Sequence, residues 1–265
     1  MHKTNPIGIF DSGVGGLTVY RALRDALPHE NFIYFGDTAR LPYGTKSRDV
    51  IERYTIEAAR HLAARDIKFF VVACNTASAA ALPGLQRDLP DMPYCGVISA
   101  GAEAAVKATR NGKIAVLATE GTVRSGVYAD VIRSLRADAD VQMLACGLLV
   151  ALAEEGWCEG AEAEKIVTRY LSMLAPGYDT LVLGCTHFPL LLPTFLKLCP
   201  PDIRIVDGAQ VTAQAVTGLL AARDLANAQT GPGSEAFLVT EFSDRFARLA
   251  TRFLGRDIAD KVELA

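Results

Sequence analysis

Two similar heptapeptides, Phe70-Val-Val-Ala-Cys-Asn-Thr and Leu181-Val-Leu-Gly-Cys-Thr-His, line up at a separation of 111 residues in this 265-residue chain. Each begins with an almost wholly apolar run and ends in cysteine and polar residues, which is typical of a buried parallel strand and its following loop. A second pair, Ile7-Gly-Ile-Phe-Asp-Ser-Gly-Val and Ile114-Ala-Val-Leu-Ala-Thr-Glu-Gly, lines up in the same order. Two similar α/β lobes are the simplest explanation of this repeat, and chance similarity between apolar strands is the alternative.

Short apolar runs alternate with helical patterns along the whole chain. The runs that predict strands are Ile7–Phe10, Phe32–Phe35, Phe69–Ala73, Tyr94–Ile98, Ile114–Leu117, Val141–Leu144, Leu181–Leu183, Arg204–Val206 and, after a Gly- and Pro-rich loop, Phe237–Thr240. The stretches that predict helices are Leu17–Leu27, Ser47 as a cap followed by helix to Ala64, Ala100–Thr109, Ser125–Leu135, Glu162–Leu174, Val211–Ala221 and Ser243–Leu254. This alternation predicts an α/β fold with mostly parallel sheets.

The composition is that of a globular protein without a strong charge bias. Half of the residues are apolar, 22% are charged, and the formal net charge is −3. Nucleic-acid-binding proteins usually have a basic face, so this balance argues against nucleic acid as a partner. A chain of this length buries roughly 70–75% of its unfolded surface, so its core needs neither disulfides nor a metal.

No segment of the sequence predicts membrane insertion or export. No run approaches ~18 consecutive apolar residues, and the segment from Met1 to Pro6 lacks the apolar core of a signal peptide. We therefore expect a cytoplasmic protein without a membrane partner, in which thiols stay reduced.

The cysteines divide into two groups by position. The chain has 6 of them: Cys74, Cys95, Cys146, Cys158, Cys185 and Cys199. None forms a CxxC pair, so neither a zinc ribbon nor a thioredoxin-type motif is supported, and the ordinary interpretation is a small buried apolar side chain. Cys74 and Cys185 differ because each directly follows a predicted buried strand, at an electropositive, partly exposed place that suits a thiolate.

Four polar loops follow predicted strands, where ligands bind in open α/β sheets. They are Asp11–Gly16, Asp37–Gly44, Cys74–Thr76 and Cys185–His187. The first contains three glycines before a helix, which indicates either a backbone cradle for an anion or a plain tight turn. It is not a dinucleotide fingerprint, since Thr18 stands at the sixth position, and no Gly-Lys-Ser/Thr of a P-loop follows.

Equivalent positions in two lobes would place Cys74 and Cys185 on opposite walls of one cleft. One thiolate would then remove a proton from a carbon while the opposite thiol delivers another, which inverts the centre. Asp11 could steady Cys74, and His187 could assist Cys185 or simply cap the Phe188-Pro189 turn. Too few ligands stand near Cys185 and His187 for zinc, and no lysine lies inside the four loops. We therefore predict chemistry without a metal or cofactor.

These motifs resemble those of the cofactor-independent aspartate/glutamate racemase family. The matching stretches are Gly8-Ile-Phe-Asp-Ser-Gly-Val-Gly-Gly-Leu, Tyr34-Phe-Gly-Asp-Thr-Ala-Arg-Leu-Pro-Tyr-Gly-Thr-Lys-Ser, Val72-Ala-Cys-Asn-Thr-Ala-Ser and Leu183-Gly-Cys-Thr-His-Phe-Pro-Leu-Leu. The resemblance implies two pseudosymmetric, doubly wound parallel-sheet domains (1–98 plus 208–265, and 99–207) with the active site in the cleft between them. It also implies a homodimer that interconverts L- and D-glutamate and supplies D-glutamate for peptidoglycan.

The resemblance also implies roles for individual residues. Cys74 would be the base toward D-glutamate and Cys185 the base toward L-glutamate, with Asp11 supporting the first thiol and His187 the second. Glu154 matches a catalytic acidic residue of the family, although Glu155 beside it is an alternative. The residues expected to bind substrate are Asp11, Ser12, Tyr43, Gly44, Asn75, Thr76, Thr119, Thr186 and His187, with Thr122 a weaker match.

Three other functions stay open on the sequence. A racemase of aspartate or a related acidic amino acid would need the same two thiols. A thiol hydrolase or amidase would need only Cys185 as nucleophile and His187 as base, so it should survive loss of Cys74. A non-catalytic amino-acid-binding protein could also use a two-lobed cleft, and it would cause no solvent exchange at Cα.

Overall fold

The computed structural model describes residues 2–265. Its first sheet combines strands from the N-terminal and the C-terminal parts of this range. Its strands are β1 (Ile7–Asp11), β2 (Phe32–Gly36), β3 (Phe69–Val72), β4 (Tyr94–Gly96), β9 (Glu235–Val239) and β10 (Val262–Leu264). All pair in parallel, in the order β10-β9-β2-β1-β3-β4. The C-terminal segment thus returns to extend the sheet that the N-terminal segment begins.

The second sheet repeats the centre of the first. Its strands are β5 (Lys113–Ala118), β6 (Asp140–Ala145), β7 (Thr180–Gly184) and β8 (Arg204–Asp207). They pair in parallel in the order β6-β5-β7-β8, which matches β2-β1-β3-β4 strand for strand. The predicted α/β class with two similar parallel-sheet lobes is therefore confirmed, whereas the domain boundaries stay a prediction.

Helices cover the sheets. They are α1 (Leu17–Ala26), α2 (Arg48–Ala63), α3 (Asn75–Asp88), α4 (Val97–Ala108), α5 (Glu120–Ser125), α6 (Val127–Leu135), α7 (Gly147–Glu155), α8 (Ala161–Leu171), α9 (Leu192–Leu198), α10 (Gly208–Ala222) and α11 (Asp244–Leu254). Buried apolar side chains fill the space between these helices and the strands, including Leu17 and Val216 beside the first sheet and Ile132 beside the second. Among residues 2–265, no helix is both long and apolar enough to cross a membrane.

Several local predictions are wrong in detail. The strand predicted over Tyr94–Ile98 ends at Gly96, because the apolar Val97 and Ile98 begin the buried helix α4 instead. The helix predicted over Ser125–Leu135 is broken at Gly126, whose φ of +71° is left-handed and separates α5 from α6. Ser47 does precede α2, but its side chain makes no capping hydrogen bond.

Candidate active site

A cavity of about 360 Å³ lies where the strand ends of the two sheets meet. Sequence-predicted residues from both sheets line it: Ser12, Tyr43, Gly44, Cys74, Asn75, Thr76, Thr119, Glu154, Cys185, Thr186 and His187. The two strand-end cysteines therefore share one cavity, as the repeat predicts. The other cysteines do not line it.

Cys74 is held as a neutral thiol. It caps α3, where its Sγ accepts a hydrogen bond from the Ala77 N–H at 3.5 Å and lies 3.5 Å from the Ser12 hydroxyl oxygen. Burial, reinforced by the nearby Asp11 carboxylate, raises the pKa of this thiol to about 12. Near neutral pH Cys74 therefore carries its proton.

Cys185 has a different neighbour, an imidazole. Its Sγ lies 3.7 Å from His187 Nδ1, and His187 Nε2 lies 3.3 Å from Glu154 Oε1. Burial alone would lower the pKa of His187, but the hydrogen bonds to Cys185 and Glu154 outweigh it and raise that pKa to about 10. A protonated imidazole is thus in place to donate a hydrogen bond to a thiolate at Cys185.

The structure distinguishes Glu154 from its neighbour. Glu155 is exposed, whereas Glu154 lines the cavity and contacts His187. Its second carboxylate oxygen, Oε2, accepts a hydrogen bond from Arg245 at 2.7 Å. The hydrogen bond to His187 is the main reason that the pKa of Glu154 is lowered. Of the two neighbouring glutamates, Glu154 is therefore the one that lines the cavity.

Arg245 is a site residue that sequence reasoning misses. It lies on α11, 91 residues from Glu154, and it belongs to none of the four loops. Phe246 and Leu249 of the same helix also line the cavity. The only sequence signal is the amphipathic pattern of α11, and this pattern indicates a buried face without saying what that face covers.

Asp11 lies behind the cavity rather than on its wall. It is 1% exposed, and its Oδ2 accepts a hydrogen bond from the Gly13 N–H at 2.8 Å. Its Oδ1 is the one buried side-chain polar atom without a hydrogen-bond partner in the described part of the chain. Burial raises the pKa of Asp11, while the charge of His187 acts in the opposite direction. This free oxygen gives Asp11 an unused acceptor beside Cys74.

The glycine loop after β1 allows the two sheets to approach closely. A Cβ at Gly15 would lie 2.4 Å from Thr186 Oγ1 and 2.5 Å from the His187 ring. In the first turn of α1, directly after this loop, the Thr18 hydroxyl donates a hydrogen bond of 2.8 Å to the Thr186 carbonyl. These contacts favour the tight-turn interpretation of the glycines over an anion cradle.

Hydroxyl and amide groups form the remaining polar wall. The Thr76 and Thr119 hydroxyl oxygens lie 2.9 Å apart, with Thr122 buried behind them, 3.3 Å from Thr76. The Asn75 side-chain oxygen accepts a hydrogen bond from Tyr128, which leaves the amide N–H₂ of Asn75 as a donor. The Tyr43 hydroxyl donates to Asp37, so Tyr43 presents its ring to the cavity.

The cavity offers no evident place for a metal or a pyridoxal group. Within residues 2–265, no three His, Cys, Asp or Glu side chains lie close enough together to hold a metal ion. Among the lining residues Arg245 is the one Lys or Arg side chain, and it is paired with Glu154. The reactive groups that the cavity does contain are two thiols, an imidazole and the carboxylates of Glu154 and Glu241.

Comparison with known proteins gives the class to which this fold and site belong. The family model for Asp/Glu/hydantoin racemases matches residues 7–216. The chain belongs to this family of isomerases.

Within the family, the chain is similar to glutamate racemases. The glutamate racemase of Geobacter metallireducens is 46% identical over 260 residues, with 98% of this chain and 96% of that protein covered. The glutamate racemase of Neisseria meningitidis is 44% identical over 263 residues, with 99% and 97% covered.

Solved structures agree with this relationship. The crystal structure of glutamate racemase RacE1 from Bacillus anthracis superposes with a TM-score of 0.94 at 36% identity, covering 100% of this chain and 98% of that one. The glutamate racemase of Francisella tularensis, solved in complex with D-glutamate, has a TM-score of 0.91 at 34% identity, with 99% and 98% covered.

Proposed function

We propose that this protein interconverts L- and D-glutamate by moving protons at the α-carbon between Cys74 and Cys185. The observation that carries the proposal is that these two thiols lie at equivalent strand ends of two sheets and line one cavity. The similarity to glutamate racemases over nearly the whole chain supports glutamate as the substrate.

The protonation states favour a defined starting point. With His187 protonated beside it, Cys185 serves as the thiolate that removes the α-proton of L-glutamate. Burial raises the pKa of Cys74 to about 12, so Cys74 serves as the thiol that delivers a proton to the opposite face. It becomes a thiolate in this step. The product is D-glutamate, and the same steps in reverse, with Cys74 as base, convert D-glutamate to L-glutamate.

Polar groups on the wall stabilise the negative charge that develops on the substrate. The hydroxyl groups of Thr76, Thr119 and Thr186 and the amide of Asn75 are suited to bind the carboxylates, together with Ser12 and the main chain at Tyr43 and Gly44. Asp11, which lies behind the wall and does not line the cavity, supports the site from the Cys74 side. Exclusion of water from the closed cleft strengthens each of these interactions.

The wider setting is also a proposal. The family resemblance supports a homodimer that supplies D-glutamate for peptidoglycan. A cytoplasmic location suits the mechanism, because a reducing compartment keeps both thiols free. The two sheets and their helices support domains of 1–98 plus 208–265 and of 99–207.

The substrate is tested by chiral chromatography of parallel incubations. Purified protein, without added cofactor, is incubated with L-glutamate, D-glutamate, L-aspartate or D-aspartate. The proposal predicts that both glutamate reactions reach the same racemic mixture and that aspartate is unchanged or converted far more slowly. Conversion of aspartate alone would contradict the assignment of glutamate and favour an aspartate racemase.

A further inference from the structure

Arg245 is the outer end of a chain of hydrogen-bonded groups that leads to a reactive thiol. Its guanidinium donates to Glu154 Oε2 at 2.7 Å, and the other oxygen of the same carboxylate lies 3.3 Å from His187 Nε2. On the far side of the imidazole ring, Nδ1 lies 3.7 Å from Cys185 Sγ. Each of the two carboxylate oxygens of Glu154 thus has a separate partner.

The helix that carries Arg245 is fixed against the same groups. Arg252, two turns further along α11, donates to the main-chain carbonyl of Glu154. The Phe253 ring packs edge-on against the His187 ring, with centroids 5.3 Å apart. Because Phe246 and Phe253 are buried, α11 presents Arg245 from a rigid support. Helix α11 therefore touches both the backbone of Glu154 and the ring of His187.

Glu154 needs such a partner because it is not enclosed. Its side chain is 21% exposed, so water competes for its oxygens, and the Arg245 side chain is 62% exposed. The charged groups that face His187 are Asp11 from β1, Cys185 from the loop after β7 and Glu154 from α7, with Arg245 and Arg252 beyond Glu154. Of the two carboxylates, only that of Glu154 is hydrogen-bonded to the imidazole.

We propose that Arg245 is a positioning residue for the Cys185 side of the site: it holds the Glu154 carboxylate in the orientation that hydrogen-bonds His187. Partners behind a functional group orient that group and tune its basicity. Without Arg245, Glu154 turns to solvent for part of the time, and His187 loses the hydrogen bond that orients its ring toward Cys185. The importance of this for turnover rests on the proposed function, but the arrangement of the groups does not.

The test measures thiol reactivity without substrate. Wild-type protein, Arg245→Ala and Arg248→Ala are alkylated with iodoacetamide across a pH series, and the modification of each cysteine is followed by mass spectrometry. Arg248 is a matched control, since it is an exposed arginine on the same helix. Arg245→Ala should slow alkylation of Cys185 near neutral pH by about two- to fivefold, the effect of a largely exposed ion pair. It should also shift the Cys185 profile to higher pH and leave Cys74 unchanged, whereas Arg248→Ala should change neither cysteine.

A second background shows whether Arg245 acts through Glu154. In the Glu154→Gln variant, the additional change Arg245→Ala should slow the alkylation of Cys185 no further, because the carboxylate that Arg245 orients has already been replaced. The proposal is overturned if Cys185 is alkylated in Arg245→Ala at the wild-type rate across the pH series, or if the alkylation rate of Cys74 changes equally. It is also overturned if Arg245→Ala slows alkylation of Cys185 as much in the Glu154→Gln background as it does in the wild type. Failure to racemise glutamate would contradict the proposed function alone, since alkylation needs no substrate.

Discussion

The two thiols of the cavity are equally buried but differ in what they touch. Each cysteine is 6% exposed, so a reagent has similar access to both. Cys74 contacts a hydroxyl and a main-chain N–H, whereas Cys185 contacts an imidazole whose pKa is raised to about 10. Since the thiolate is the form that reacts, iodoacetamide should modify Cys185 before Cys74 near neutral pH, as measured by mass spectrometry. His187→Asn should abolish that preference, and faster modification of Cys74 in the wild type would contradict the proposed protonation states.

Loss of one thiol separates a racemase from a thiol hydrolase. Cys74→Ser should reduce racemisation by about 10²–10⁴-fold, the usual contribution of one positioned acid or base. The variant should still exchange the α-hydrogen of L-glutamate with solvent, because Cys185 remains on that face. Proton NMR in D₂O measures this exchange, and Cys158→Ser, outside the cavity, should retain full activity. Full turnover by Cys74→Ser would instead indicate a mechanism that uses Cys185 alone.

The elements differ in how far the sequence predicts them. The loops that carry Cys74 and Cys185 are predictable because each directly follows a short apolar strand, which is a local signal. A helix start is expected after Cys74, but the extent of α3 is not predicted, because the helix is buried along Asn75–Ala81 and shows no amphipathic period there. Arg245 is beyond prediction for another reason, since its contact with Glu154 depends on where α11 packs.

The absence of a side chain at Gly15 allows the two sheets to approach closely, and this can be tested. Gly15→Ala places a methyl group 2.4 Å from Thr186 Oγ1, so it must displace Thr186 or His187. We expect at least a tenfold loss of kcat/KM, because small misplacements of catalytic groups are costly. Gly218→Ala is the matched control, since its Cβ meets no atom within 4 Å; it should keep activity and stabilise α10 by about 0.5–1 kcal/mol. Equal kinetics in both variants would contradict this role of Gly15.

At the scale of the whole molecule, the C-terminal strands β9 and β10 extend the first sheet, and ion pairs in this segment make its contribution to stability depend on pH. Glu235 of β9 pairs with Arg256 at 2.6 Å and Lys261 at 2.8 Å. Burial would raise the pKa of Glu235, but these hydrogen bonds outweigh it and lower that pKa from 4.5 to about 2. Because the folded pKa is lowered, the stabilisation is present above pH 4.5 and is lost as pH falls toward 2.

Glu235→Gln should therefore lower the free energy of unfolding by about 1–2 kcal/mol at neutral pH. The difference from the wild type should shrink as the pH is lowered through 4.5, as measured by urea unfolding over a pH series. Glu263→Gln, which changes an exposed carboxylate on β10, should have little effect at any pH. A constant difference between wild type and Glu235→Gln down to the lowest pH would contradict the ion-pair explanation.

The two lobes pair around one cavity, and the central proposal for the molecule is that two bases in this cavity act on opposite faces of one carbon. The measurement is the early time course of L-glutamate in D₂O with the purified protein and no added cofactor, followed by chiral separation and mass spectrometry of both enantiomers. If Cys185 removes the proton and Cys74 delivers a solvent-derived one, D-glutamate should carry deuterium at Cα while the remaining L-glutamate stays unlabelled. Label that enters L-glutamate as fast as it enters D-glutamate, or no label in either, would contradict the two-base mechanism.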